Sequence, residues 1–167
     1  MFVKSQRLKV KGFSRGVSLL EVVVGTAILL LAVTGLLTAY NVFVRVGAST
    51  LGNIKAAYLL EEGLEAMSVI RDYGWTNNIA NLAVGTNYYL SWNGTRWVTA
   101  ATASKIDDVY SRYIVLENVN RDGNDNIAES GSVDPGTKKL TIYVSWPNGA
   151  TTSLRFISSY LTNLFSN

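Results

Sequence analysis

The stretch KGFSRGVSLLEVVVGTAILLLAVTGLLTAYNVFVR, Lys11 to Arg45, decides how the rest of the chain is read. From Val22 to Val44 it runs for 23 residues without a charge. At about 1.5 Å per residue, a helix of that length spans about 35 Å, enough for a hydrocarbon core about 30 Å thick. A single carboxylate, Glu21, stands directly before the run. An acidic side chain at the centre of a bilayer costs about 3 kcal/mol on insertion scales. Glu21 therefore needs a shallow position or a partner.

The charge balance points the same way. The chain carries 15 Lys and Arg against 12 Asp and Glu. Five of the bases, Lys4, Arg7, Lys9, Lys11 and Arg15, fall within the first sixteen residues, where no acid occurs. The remainder is slightly acidic, so the basicity belongs to an N-terminal tag and no phosphate-binding surface or nucleic-acid partner is indicated. Cysteine and histidine are both absent. That removes disulfides, thiol nucleophiles, the usual zinc ligands and His-based proton transfer together. No nucleophile–base pair or phosphate loop is visible either, so the expectation is a protein that is not an enzyme and needs no cofactor.

A secretory signal peptide also begins with basic residues and an apolar run. This run exceeds the usual 7–15 residues of such a segment, no small-x-small cleavage site follows it, and an acid interrupts its start. The positive-inside rule keeps residues 1–16 cytoplasmic and sends everything after Arg45 across the membrane. Topology alone thus predicts a single-pass anchor with an external domain.

Gly16-Val17-Ser18-Leu19-Leu20-Glu21, behind a short basic leader and ahead of an apolar helix, resembles the processing site of the type IV prepilin and pseudopilin family. The resemblance implies cleavage by a prepilin peptidase directly after Gly16 and methylation of the new amine of Val17. Glu21 is then the fifth residue of the mature chain, the place of the family's glutamate. Cleavage after Gly12 would instead put Val17 in that place and leave Arg15 near the new end, so Gly16 is the better site. In such assemblies the carboxylate attracts the N-terminal amine of a neighbouring subunit, which here pairs Glu21 with Val17 of another chain. An unpaired carboxylate in low dielectric is costly, and that cost favours assembly in register. A plainer account leaves Glu21 at the headgroups, favoured there by the helix dipole. Many major pilins carry a proline within the membrane helix; this chain has prolines only at 135 and 147.

Beyond Arg45 the helical pattern continues. In AAYLLEEGLEAMSVIRD, 56–72, Ala57, Leu60, Leu64 and Met67 recur at three- and four-residue spacing. One helix is expected from about Val17 to about Asp72, with an apolar stripe on its outer half and Gly74 as C-terminal cap. Glu61, Glu62 and Glu65 read as a solvated face. This segment also resembles the helix of minor pilins and pseudopilins.

Strand patterns follow. NYYLSWNGTRWVTA, 87–100, predicts a hairpin around Asn93-Gly94 as a type I′ pair. YSRYIVLENV, 110–119, suits a central strand. KLTIYVSW, 139–146, alternates with Leu140, Ile142, Val144 and Trp146 on one face, and Pro147-Asn148-Gly149 turns the chain into TSLRFIS, 152–158. The expected fold is α+β: a long N-terminal helix, membrane-embedded in its first half, packed on a C-terminal antiparallel sheet, as the resemblance also implies. The expected divisions are a cytoplasmic leader 1–16, an assembly helix 17–45, a soluble helical half 46–75 and a β-rich head 76–167.

Asp122, Asn124 and Asn126 alternate like the first ligands of an oxygen-rich calcium loop and are weak metal candidates. The EF-hand pattern wants Gly at the sixth place and an acid at the twelfth; Ile127 and Val133 stand there. Ordinary turn chemistry explains the loop better, and no metal is expected. Trp92, Trp97, Tyr88 and Tyr89 are aromatic candidates for a binding face, although hairpin and core packing would use them too.

The resemblance implies a structural subunit, a minor pilin of a type IV pilus-like filament. Its partners would be other pilin or pseudopilin subunits, prepilin peptidase and the membrane. It implies an inner or cytoplasmic membrane protein with its N-terminus inside and its head outside, then a surface or periplasmic filament. Two alternatives stay open: a pseudopilin of a type II secretion or DNA-uptake system, and a membrane-anchored extracytoplasmic binding module.

Overall fold

The computed structural model describes residues Leu19 to Phe165. Gly16 and Val17, and with them the expected cleavage and methylation site, lie outside the described residues. The chain forms two compact units, one ending at Val46 and the other beginning at Gly47.

Helix α1 covers Leu19–Asp72, 54 residues. Its part up to Val46 is exposed on every side. The described chain thus contains one helix long and apolar enough to cross a membrane, which is compatible with a single-pass anchor. Polarity within this stretch is handled locally. The hydroxyls of Thr26, Thr34 and Thr38 donate to carbonyls three or four residues back, and Asn41 Nδ2 donates to Leu37 O at 2.8 Å. Such bonds hide polar groups from an apolar surrounding.

From Gly47 onward the fold is α+β. The chain leaves α1 through Gly74, whose φ of +140° few other residues would adopt, and whose N–H donates to Arg71 O at 3.0 Å. A π-helical turn, Thr76–Ala80, follows. It buries Ile79, and Trp75 just before it, in the core.

The strands are β1 Tyr88–Trp92, β2 Trp97–Ala100, β3 Lys105–Ile106, β4 Tyr110–Arg121, β5 Ile127–Ala128, β6 Ser132–Asn148 and β7 Thr151–Thr162. All pair antiparallel in the order β2-β1-β4-β6-β7, with β3 and β5 also on β4. Leu140, Ile142, Val144 and Trp146 share the buried face with Ile114 and Leu116 of β4, as their alternation predicts. Gly149, at φ +63°, makes the β6–β7 turn. Opposite the β4 register shift at Asn118/Val119, Pro135, Gly136 and Thr137 stand outside the β4–β6 ladder. A bulge of this kind accommodates a proline that a regular ladder would reject.

Two local expectations are corrected. The stripe that α1 lays on the sheet consists of Ala56, Leu59, Leu60, Gly63, Ala66, Met67 and Ile70, with half-buried Leu64 packed against it, whereas the expected Ala57 is exposed. Small residues set the approach: a Cβ at Gly63 would lie 3.1 Å from both Cδ1 and Cγ2 of Ile142. The β1–β2 hairpin exists, but Trp92 already pairs with Trp97, so Gly94-Thr95 form its tip and Asn93 its first corner. Asn93 Oδ1 accepts from the N–H groups of Thr95 and Arg96, each at 3.0 Å, and only Gly94 takes positive φ. Asn93 thus acts as an Asx cap instead of a member of a type I′ pair.

Candidate functional site

Glu21 sits in the first turn of α1. Among the described residues it takes part in no ion pair, and the residues around it are exposed apolar side chains: Leu19, Leu20, Val22, Val23 and Val24. The amides of a helix N-terminus favour an anion there, worth up to about 1 kcal/mol at an exposed site. That does not offset the cost of several kcal/mol for a bare carboxylate in hydrocarbon.

In the second unit alternation brings two charged side chains to the sheet's buried face, Arg112 on β4 and Lys138 on β6. Arg112 shares parity with Ile114 and Leu116 on β4, and its side chain is 3% exposed. Its Nη1 donates to Glu62 Oε2 at 2.6 Å and to Leu59 O at 3.0 Å, while the guanidinium lies 5.5 Å from the Trp97 ring centroid. Glu62 therefore pins α1 to the sheet and is more than a solvated face; Glu61 and Glu65 are exposed. The cue lay in β4 itself: a cation in register with core residues demands a carboxylate from the element packed over it.

The 120–136 loop spends its candidate ligands on itself. Asp122 Oδ1 accepts from the N–H groups of Asn124 at 2.8 Å and Asn126 at 2.9 Å, and Oδ2 accepts from Asn126 Nδ2 at 3.3 Å. The Asn126 and Asn124 N–H groups hold the Asp122 carboxyl below its ordinary range. Asp125 takes φ +66° to close the turn. Among the described residues no group of three or more His, Cys, Asp or Glu could hold a metal ion. Nearby, Arg121 Nε donates to Asp134 Oδ2 at 2.7 Å, and Gly136 N donates to Asp134 Oδ1 at 2.8 Å. The Arg121 hydrogen bond is the main reason that the Asp134 carboxyl also sits low.

The four aromatic candidates do not share a face. Tyr88 and Trp97 pack against the core, and Trp92 meets Trp97 edge-on at 5.9 Å. Tyr89 belongs instead to a row across the opposite face of the sheet. It lies 6.4 Å from Tyr113, which stacks on Tyr143 at 4.9 Å, which lies 5.7 Å from Phe156. The row takes one residue each from β1, β4, β6 and β7, in directly paired positions. Phe156, at its end, is 65% exposed. Burial, then the neighbouring phenols Tyr143 and Tyr89, pushes the Tyr113 hydroxyl above its ordinary pKa. The parity of Tyr113 and Tyr143 within their strands was a readable signal; their alignment across strands needed the register.

Comparison with known proteins found no family model, no curated protein and no solved structure that matches the chain.

Proposed function

We propose that this chain is a structural subunit, a minor pilin of a type IV pilus-like filament, cleaved by prepilin peptidase after Gly16 and assembled through its N-terminal helix. The observation that carries the reading is Glu21. It is a lone carboxylate in the first turn of an exposed apolar helix whose threonines and Asn41 bond to their own backbone. Such a helix is comfortable in lipid at every position but that one. An amine freed at Val17 of a neighbouring subunit would neutralise Glu21 and fix the axial register between helices. The α+β head then stands outside the membrane, and the machine is a pilus or, on the same N-terminal chemistry, a secretion or DNA-uptake filament.

The test is assembly by Glu21→Gln and Glu21→Ala variants of the full chain in a host with an active prepilin peptidase. Both variants should insert and be processed but fail to enter filaments, while Glu21→Asp retains part of the assembly. Wild-type incorporation by Glu21→Ala would overturn the reading and favour a membrane-anchored binding module.

A further inference from the structure

All nine tyrosines of the chain lie among the described residues, and two pairs of their rings meet. Tyr89 and Tyr113 are 6.4 Å apart and tilted by 58°. Tyr113 and Tyr143 are 4.9 Å apart and stacked, with 12° between their planes. The stacking follows from the strands. β4 and β6 run antiparallel, Tyr113 stands directly opposite Tyr143, and both rings rise from the same face of the sheet. Side chains at opposite positions start about 5 Å apart, close to the separation of the rings themselves. The two phenols therefore stand level, hydroxyl beside hydroxyl and ortho carbon beside ortho carbon. Burial first, and then the Tyr143 phenol, pushes the Tyr113 hydroxyl above its ordinary pKa, as two hydroxyls side by side require.

We infer that Tyr113 and Tyr143 form an oxidative cross-linking site, at which peroxyl radicals join the two rings into a dityrosine. A peroxyl radical takes the hydroxyl hydrogen atom of one phenol and becomes a hydroperoxide. A second does the same at the other phenol. Each phenoxyl carries much of its unpaired electron on the carbons ortho to oxygen. The two unpaired electrons pair as an ortho–ortho carbon bond, and each ortho hydrogen passes through water, as a proton, to the oxygen of its own ring. Two hydrogen atoms leave the protein, and two peroxyl radicals end as two hydroperoxides.

The rest of the aromatic row narrows the outcome. Phe156 has no hydroxyl and forms no phenoxyl. Its ring, 65% exposed, has room to swing aside as Tyr143 turns from stacked to edge-joined. The ring of Tyr89 is farther away and tilted, so its ortho carbons do not lie level with those of Tyr113. Tyr113 and Tyr143 are half-buried, which leaves them within reach of a small radical and shields them from a phenoxyl on another chain. The bond ties β4 to β6. Such a tie constrains the unfolded state as a disulfide does, and a chain without cysteine has no disulfide to do it. It does not depend on cleavage after Gly16 or on Glu21.

The full-length protein, in vesicles of saturated phosphatidylcholine, is exposed to a low dose of a water-soluble azo initiator, which releases peroxyl radicals in air. It is then digested with trypsin. Cleavage after Arg112, Arg121, Lys139 and Arg155 leaves Tyr113 in peptide 113–121 and Tyr143 in peptide 140–155. In the fraction that stays monomeric, these peptides should be joined, lighter than their sum by two hydrogen atoms. This species should exceed every other tyrosine–tyrosine link several-fold. Tyr143→Phe should abolish it, while Tyr89→Phe leaves it at the wild-type yield. Unfolding in urea before exposure should lower the yield several-fold, since strand register is what holds the rings together. Oxidation of exposed tyrosines without this link, another pair in its place, or a yield indifferent to unfolding would overturn the site. The wild-type protein alone decides among these, whether or not a variant folds.

Discussion

Gly25 and Gly63 lie in one helix, yet a Cβ at Gly25 would meet nothing within 4 Å while one at Gly63 would press on Ile142. The same contrast runs through their surroundings. Up to Val46 large aliphatic side chains point outward, and polar ones fold back on their own carbonyls. From Ala56 to Ile70 the contact stripe includes Ala56, Gly63 and Ala66, because closeness to the sheet is gained by removing side-chain bulk. Composition governs the first stretch and fit governs the second. Apolarity alone marks a stretch that packs on nothing; shape decides where the neighbour is a packed sheet.

Paired substitutions can break that comparison. Gly63→Leu should destabilise the second unit by about 3 kcal/mol or prevent its folding, since the added side chain has nowhere to go. Gly25→Leu should leave that unit unchanged. All four tryptophans lie beyond Gly47, so denaturant unfolding followed by intrinsic fluorescence reports this unit alone. Met67→Ala, at a fully buried position, should cost about 3 kcal/mol, whereas Leu29→Ala, 63% exposed, should cost nothing in the same assay. Equal effects in either pair would remove the distinction.

Smaller effects sharpen it. Glu62→Gln leaves the Arg112 guanidinium with Leu59 O and Trp97. Because the Glu62 side chain is 46% exposed, the loss should be about 1–2 kcal/mol, less than for a wholly buried pair. Glu65→Ala on the exposed face should change stability by less than about 0.5 kcal/mol. The smallest effect is acidic. Asp134 is held below its ordinary pKa of 3.8, first by the Arg121 hydrogen bond. Its contribution is therefore complete above about pH 4 and is lost as pH falls through the lower folded value. Asp134→Asn should lower stability at neutral pH and flatten the acid limb of a stability-versus-pH curve.

Periodic features of the fold were readable from sequence. The two-residue alternation of Leu140 to Trp146 placed β6 and its buried face, and the uncharged run after Glu21 placed the exposed half of α1. Features that depend on a partner element were not. Ala57 was drawn into the stripe because apolarity does not reveal which way a residue faces, and Gly63 was passed over because a glycine has no apolar signature. Glu62 looked like a surface charge until β4 brought Arg112 beneath it. β3, β5 and the π-helical turn are too short to show a period. β7 extends beyond the expected 152–158 to Thr162, taking in Tyr160 and Leu161, because its pairing with β6 continues to Thr137. The aromatic row was split between strand patterns that only register could align.

The central claim is that the mature chain begins at Val17, so that Glu21 is its fifth residue. The most direct measurement is the intact mass and N-terminal peptide of the chain recovered from its native membranes or filaments. The account predicts a chain that starts at N-methylated Val17, with residues 1–16 removed. A chain that keeps those residues in a host with an active prepilin peptidase would contradict it.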